Sequence, residues 1–96
     1  MIEHLVLLKV KDESTCDAII KALNELVSKI DSIKSLSVGK NFCDRNKGYQ
    51  IGLRVTFENK KGLDDYQVHP AHQEVLNTLI KPSLDDVIAL DYEFNM

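Results

Sequence analysis

The segment from Ile2 to Val10 restricts the possible folds more than any other. In an extended strand Ile2, His4, Val6, Leu8 and Val10 share one face while Leu5 and Leu7 point the other way. Both faces are thus largely apolar, and such a strand has to be covered on both sides. Helices laid on one side of a single sheet leave the other side bare, so a second cover is required. With 96 residues, 44% of them hydrophobic, the chain is long enough for one core and too short for two domains, and residues 1–96 are read as a single domain.

The remainder alternates between helical and extended patterning. Ser14, followed three residues later by Asp17, resembles a capping box, and Ile19, Leu23, Leu26, Val27 and Ile30 then recur at helical spacing until about Asp31. From Lys34 alternation returns, with Leu36, Val38 and Phe42 on one side of a strand that runs to Cys43 and Asp44. Asp44 to Gly48 is a polar, glycine-ended connection. Tyr49, Ile51, Leu53, Val55 and Phe57 form the clearest strand pattern of the chain. Glu58 to Gly62 is expected to be a loop, Leu63 to Val68 a short helical turn, and Pro70 the first residue of a further helix, where its missing N–H would be unpaired anyway. Val75, Leu76, Leu79 and Ile80 give that helix its apolar stripe, with Pro82 as its expected stop, and Val87 to Phe94 reads as a last strand. The order β-α-β-β-α-β matches the α+β, ferredoxin-like split βαβ arrangement, with both helices on one face of an antiparallel sheet. Two copies packed sheet to sheet would cover the remaining face as an eight-stranded dimeric alpha-beta barrel, wide enough for side chains or one small ligand.

Composition excludes several classes of function. A net charge of −3 and scattered lysines give no clustered basic face for nucleic acid. No apolar run approaches the length of a membrane span. Cys16 and Cys43 lie far apart outside any metal-binding spacing, and no secretory pattern opens the chain, so a cytoplasmic protein is expected.

The residue types that can do chemistry gather in Asp65-Tyr66-Gln67-Val68-His69-Pro70-Ala71-His72. A break before Pro70 lets a phenol and two imidazoles converge rather than spiral apart. Each has a plainer role open to it. His69 is suited to fixing the helix entrance, Tyr66 to filling the core with its hydroxyl satisfied by a neighbour, and His4 to being a satisfied interior histidine. Asp91, in a mainly apolar strand, needs a partner, and a histidine is the natural one. His69 and His72 are three residues apart, as in some helical metal sites, but no third ligand stands at a matching spacing, so no metal is expected.

His4 to Asp12, Val38-Gly39-Lys40, Gly48-Tyr49, Val55-Thr56-Phe57-Glu58, Asp91-Tyr92 and above all Tyr66-x-x-His69-Pro70-Ala71-His72 together resemble the stress-responsive dimeric A/B barrel family. The resemblance runs from Ile2 to about Phe94 and implies a homodimeric α+β barrel. Some plant members of that family are cofactor-free polyketide cyclases that perform an aldol condensation, others are stress-induced proteins, and many bacterial members have no assigned activity. Carried over residue by residue, the resemblance makes His72 a general base supported by Tyr66, with His4 and Asp91 beside them. Asp91 is expected to hold the tautomer of His72, and Tyr66 to donate to a developing enolate oxygen. His69 and Ile51 complete the ligand-facing candidates, and Ile51 stands where the cyclases have a histidine. The resulting expectation is a homodimer that binds a small hydrophobic or carbonyl-bearing molecule in its barrel, or alternatively a cyclase-like enzyme, with no cofactor, nucleic acid or membrane partner. A purely structural oligomer is the third reading, favoured if the barrel interior is filled.

Overall fold

The computed structural model describes residues 1–95. Strand β1 (Ile2–Val10) leads through a short 3-10 turn into helix α1 (Cys16–Glu25), which is followed by strands β2 (Ile33–Lys40) and β3 (Ile51–Phe57). Helices α2 (Lys60–Val68) and α3 (Pro70–Val75) come next. A widened π turn (Leu76–Ile80) and a last helical turn α4 (Lys81–Ser83) then connect to strand β4 (Leu84–Glu93). The four strands lie in the order β2-β3-β1-β4, every neighbouring pair antiparallel. Because β3 is inserted between β1 and β2, this is the ferredoxin-like split βαβ expected from the element order.

The apolar stripe of α1 explains which sheet face is covered. Ile19, Leu23, Leu26 and Ile30 pack on the β1 set Ile2, Val6, Leu8 and Val10 and on the β3 set Ile51, Leu53, Val55 and Phe57, forming one core. Leu5 and Leu7 point away from it, together with Ile88, Leu90 and Tyr92 of β4, and Leu90 is 54% exposed. The second apolar face of β1 is therefore open in the single chain, as its patterning requires if another molecule is to cover it.

Several local expectations need correction. Asp12 caps the 3-10 turn ahead of α1, its carboxylate accepting from the Ser14 N–H at 3.0 Å, while Thr15 at the start of α1 makes no side-chain cap and the Ser14–Asp17 capping box does not form. Val27 falls outside the buried stripe. Strand β2 ends at Lys40, so Phe42 lies beyond it and is 98% exposed. Helix α2 starts at Lys60 because the Asn59 side chain accepts from the Gly62 N–H at 3.0 Å, turning the expected loop into a capped helix of nine residues. Pro82 does not stop its helix: the chain before it widens, with the Lys81 N–H reaching back to the Leu76 carbonyl, and one more turn follows.

Candidate functional site

The break between α2 and α3 builds the site. His69 adopts an extended backbone (φ −62°, ψ 134°) and its Nδ1 accepts from the Ala71 N–H at 3.1 Å, so it caps α3 while Pro70 occupies the first turn. Ending a helix leaves its last carbonyls without intrahelical partners. The Gln67 carbonyl is one of them, and it accepts from Nε2 of Gln73 at 2.6 Å and from Nδ1 of His72 at 3.2 Å. A carbonyl only accepts, so this contact puts the neutral-ring proton of His72 on Nδ1 and leaves the Nε2 lone pair free.

His72 belongs to the wall of a partly open cavity of about 210 Å³ between the sheet and the helices of one chain. Tyr66 and His4 share that wall with Gln67, and the rest is apolar, contributed by residues such as Val6, Leu53, Leu76, Val87 and Ala89. Among the described residues, no lysine or arginine lines it. The Tyr66 ring is the centrepiece: its centroid lies 4.3 Å from that of His72, 5.2 Å from Phe57 and 6.0 Å from His4. Burial alone pushes the Tyr66 phenol up to about 12, which keeps it a neutral O–H donor. Burial also lowers the His72 imidazole below its ordinary value, with the nearby His4 and His69 acting in the same direction and the Gln67 carbonyl opposing them. The cavity thus holds a neutral base, a neutral donor and apolar walls.

Two expected residues do not belong to this wall. Ile51 is fully buried in the core, paired across the sheet with Leu8 and Lys40, and is not among the residues lining the cavity. His69 is spent on the cap and also stays out of it. The partner of Asp91 is likewise different: its carboxylate bonds Nδ1 of His4 and makes no contact with His72. The register explains this, since His4 and Asp91 face each other directly across β1 and β4 whereas His72 sits on the helical layer. Asp91 meets solvent at its other side, in a shallow groove beside Lys60 and Asp64. His4, Tyr66 and His72 converge inside one chain, between its sheet and its helices, and not on the sheet face that a two-chain barrel would enclose. Sequence reasoning missed Gln67 and Gln73 altogether. Their signal was the helix break itself, which guarantees unpaired carbonyls just before it.

The match to a family model for the stress responsive A/B barrel domain spans residues 2–94. The chain belongs to that family. Among curated members of similar sequence, a stress-response A/B barrel domain-containing protein of Arabidopsis thaliana is 33% identical over 93 residues, covering 94% of this chain and 83% of the relative. Olivetolic acid cyclase of Cannabis sativa is 38% identical over 76 residues, covering 74% of this chain and 75% of that enzyme. Among solved structures, a dimeric ferredoxin-like protein of unknown function from Bacteroides fragilis superposes with a TM-score of 0.86 at 25% identity, over 97% of this chain and 95% of that one. The A/B barrel fold of the present chain is therefore one whose solved relatives include dimers and whose curated relatives include a cyclase.

Proposed function

We propose that this A/B barrel protein is a cytoplasmic homodimer that binds a small, uncharged, carbonyl-bearing molecule in the cavity between the sheet and helices of each chain. The observation that carries the reading is that His72, whose Nε2 is left free by the Nδ1 contact to the Gln67 carbonyl, and Tyr66 line one largely apolar cavity. Such a wall sets the His72 acceptor and the Tyr66 donor beside His4 and Gln67 with no lysine or arginine, which suits a ketone or enol and disfavours a carboxylate or phosphate. At about 210 Å³ the space is smaller than the ~300–1,000 Å³ typical of drug-sized ligand pockets, so a short-chain or single-ring molecule is the matching size. The dimeric A/B barrel relatives and the bare apolar face of the sheet support self-association. Two unpaired cysteines, Cys16 and Cys43, suit a reducing compartment.

A second reading, proton transfer at carbon, is favoured by the lowered imidazole of His72 and by the resemblance to olivetolic acid cyclase. In that step Nε2 of His72 takes a proton from the carbon next to a carbonyl, and the Tyr66 O–H hydrogen-bonds the enolate oxygen that develops. Histidine-ring NMR with acetylacetone and small aryl ketones tests the binding reading. The expected result is a saturable shift of the His72 resonances that disappears in Tyr66→Phe. Absence of any shift in wild type, or its persistence unchanged in Tyr66→Phe, refutes it. Deuterium uptake at the central carbon of acetylacetone in D₂O, faster than in buffer and lost in His72→Ala, supports the proton-transfer reading, and uptake at the buffer rate excludes it.

A further inference from the structure

Gln73 is the second donor on the carbonyl that orients His72. In an unbroken helix the Gln67 carbonyl would accept from the N–H four residues on, which belongs to Ala71. That N–H is taken by Nδ1 of His69, so the carbonyl at the end of α2 is left to side chains. Two of them use it, Nε2 of Gln73 at 2.6 Å and Nδ1 of His72 at 3.2 Å. An oxygen with two lone pairs accepts both, but not equally. The amide makes the close contact, and the imidazole sits at the long end of hydrogen-bonding distance. Donors that share one acceptor weaken each other, by the same polarisation that lets hydrogen bonds in a chain reinforce each other. The difference matters when the ring gains its second proton. A cationic imidazole donates about twice as strongly as a neutral one, so a carbonyl free to receive it would favour the charged form. A carbonyl that already holds an amide favours it less.

We propose that Gln73 is a positioning residue for His72: its side-chain amide, by occupying the Gln67 carbonyl, limits how tightly that carbonyl holds the Nδ1 proton and so keeps the imidazole neutral, with Nε2 available as the base. The proposal rests on the reading of His72 as the base of the cavity and adds the residue that sets its strength. Burial, His4 and His69 all favour the neutral ring and the Gln67 carbonyl opposes them, so Gln73 acts on the contact that would otherwise favour the cation. The elements packed around the ring bring few other titratable groups. These are His4 from β1, Tyr66 from α2 and His69 at the break, while α1, β3 and β4 face the cavity with Leu23, Leu53, Val87 and Ala89. Asp91 is spent on His4.

Titration of the histidine rings by NMR in wild type, Gln73→Met and Gln73→Asn tests this, with circular dichroism confirming that each variant is folded. Methionine keeps the length and helix-forming tendency of glutamine without its donor, and asparagine keeps the amide but shortens its reach by one methylene. Both are expected to raise the His72 pKa by roughly 0.3–0.5 pH unit, about two- to threefold in proton affinity, as follows from a change of about 10–30% in a charge-assisted hydrogen bond. The ¹⁵N shifts are expected to keep the neutral-ring proton on Nδ1, and the acid limb of deuterium uptake by acetylacetone is expected to move up with the pKa. An unchanged or lowered pKa in Gln73→Met overturns the proposal, as does a wild-type pKa retained in Gln73→Asn. A switch of the proton to Nε2 overturns it too, because the amide then only holds the carbonyl in place. So does a His72 that stays neutral in all three proteins down to acid unfolding, since the amide then changes nothing. If the pKa rises as expected but no ketone moves the His72 resonances in any of the proteins, the cavity reading fails and the part played by Gln73 stands.

Discussion

The hydroxyl of Tyr66 offers a sharp test, because its two possible roles predict opposite signs. The ring is 1% exposed and wedged among Phe57, His72 and His4, and burial is the only influence acting on its phenol, with no hydrogen-bonding or charged neighbour contributing. A hydroxyl held for structure would have a protein partner, and deleting it would cost about 1 kcal/mol or more. A hydroxyl kept free for a ligand is a poorly satisfied polar group in an apolar cavity, so Tyr66→Phe should leave stability unchanged or raise it by up to about 1 kcal/mol. For a domain of this length that corresponds to a rise in Tm of up to roughly 4–8 °C. Tyr66→Ala, which also removes the ring, should instead lose about 3–5 kcal/mol. Urea unfolding and thermal melts at one fixed protein concentration compare the three proteins, the concentration being held because dimerisation shifts the melt. A loss of more than about 1 kcal/mol in Tyr66→Phe would mean that the hydroxyl is structural, and the functional argument built on it would fail.

Other consequences follow from the two imidazoles. Burial holds the His72 pKa below its unfolded value, so the folded chain binds fewer protons there than the unfolded chain; the contribution to stability is complete above the unfolded value of 6.5 and is lost as pH falls through the lower folded value. Urea midpoints measured at neutral pH and at mildly acidic pH should therefore fall less steeply with acid in His72→Gln than in wild type, and equal slopes would contradict the assignment. Asp91→Ala should cost about 1–2 kcal/mol by leaving Nδ1 of His4, a residue 7% exposed, without its acceptor. Because Gln67 and not Asp91 orients His72, the ¹⁵N shifts of the His72 ring should report the same tautomer in that variant, and a change of tautomer would show that the two are coupled after all.

Much of the architecture was legible from residue order, and the reason is that it follows from local periodicity. The alternation in β1 and β3 and the helical spacing of Ile19, Leu23 and Ile30 specify which face of each element is apolar, and the order of elements leaves few antiparallel topologies that satisfy them. Boundaries were read less well. Asn59 and Asp12 as caps, the early end of β2 before Phe42 and the passage of the helix through Pro82 depend on individual side-chain hydrogen bonds and on a local change of helical pitch, which periodicity does not encode.

The site divides along the same line. Sequence by itself determined that a phenol and two imidazoles flank a helix break, that His69 stands where it must enter Pro70 extended, and that β1 needs a cover on its second face. Tertiary structure alone decided which groups meet. Register paired Asp91 with His4 rather than His72, and the cap consumed Nδ1 of His69. Packing buried Ile51 away from the cavity, and the carbonyl released at the end of α2 oriented His72. The physical reason is the range of the forces involved. Apolar patterning is written residue by residue and is read over one or two turns. Hydrogen bonds act only at about 3 Å, so one between residues 87 positions apart exists only after the sheet has brought them side by side.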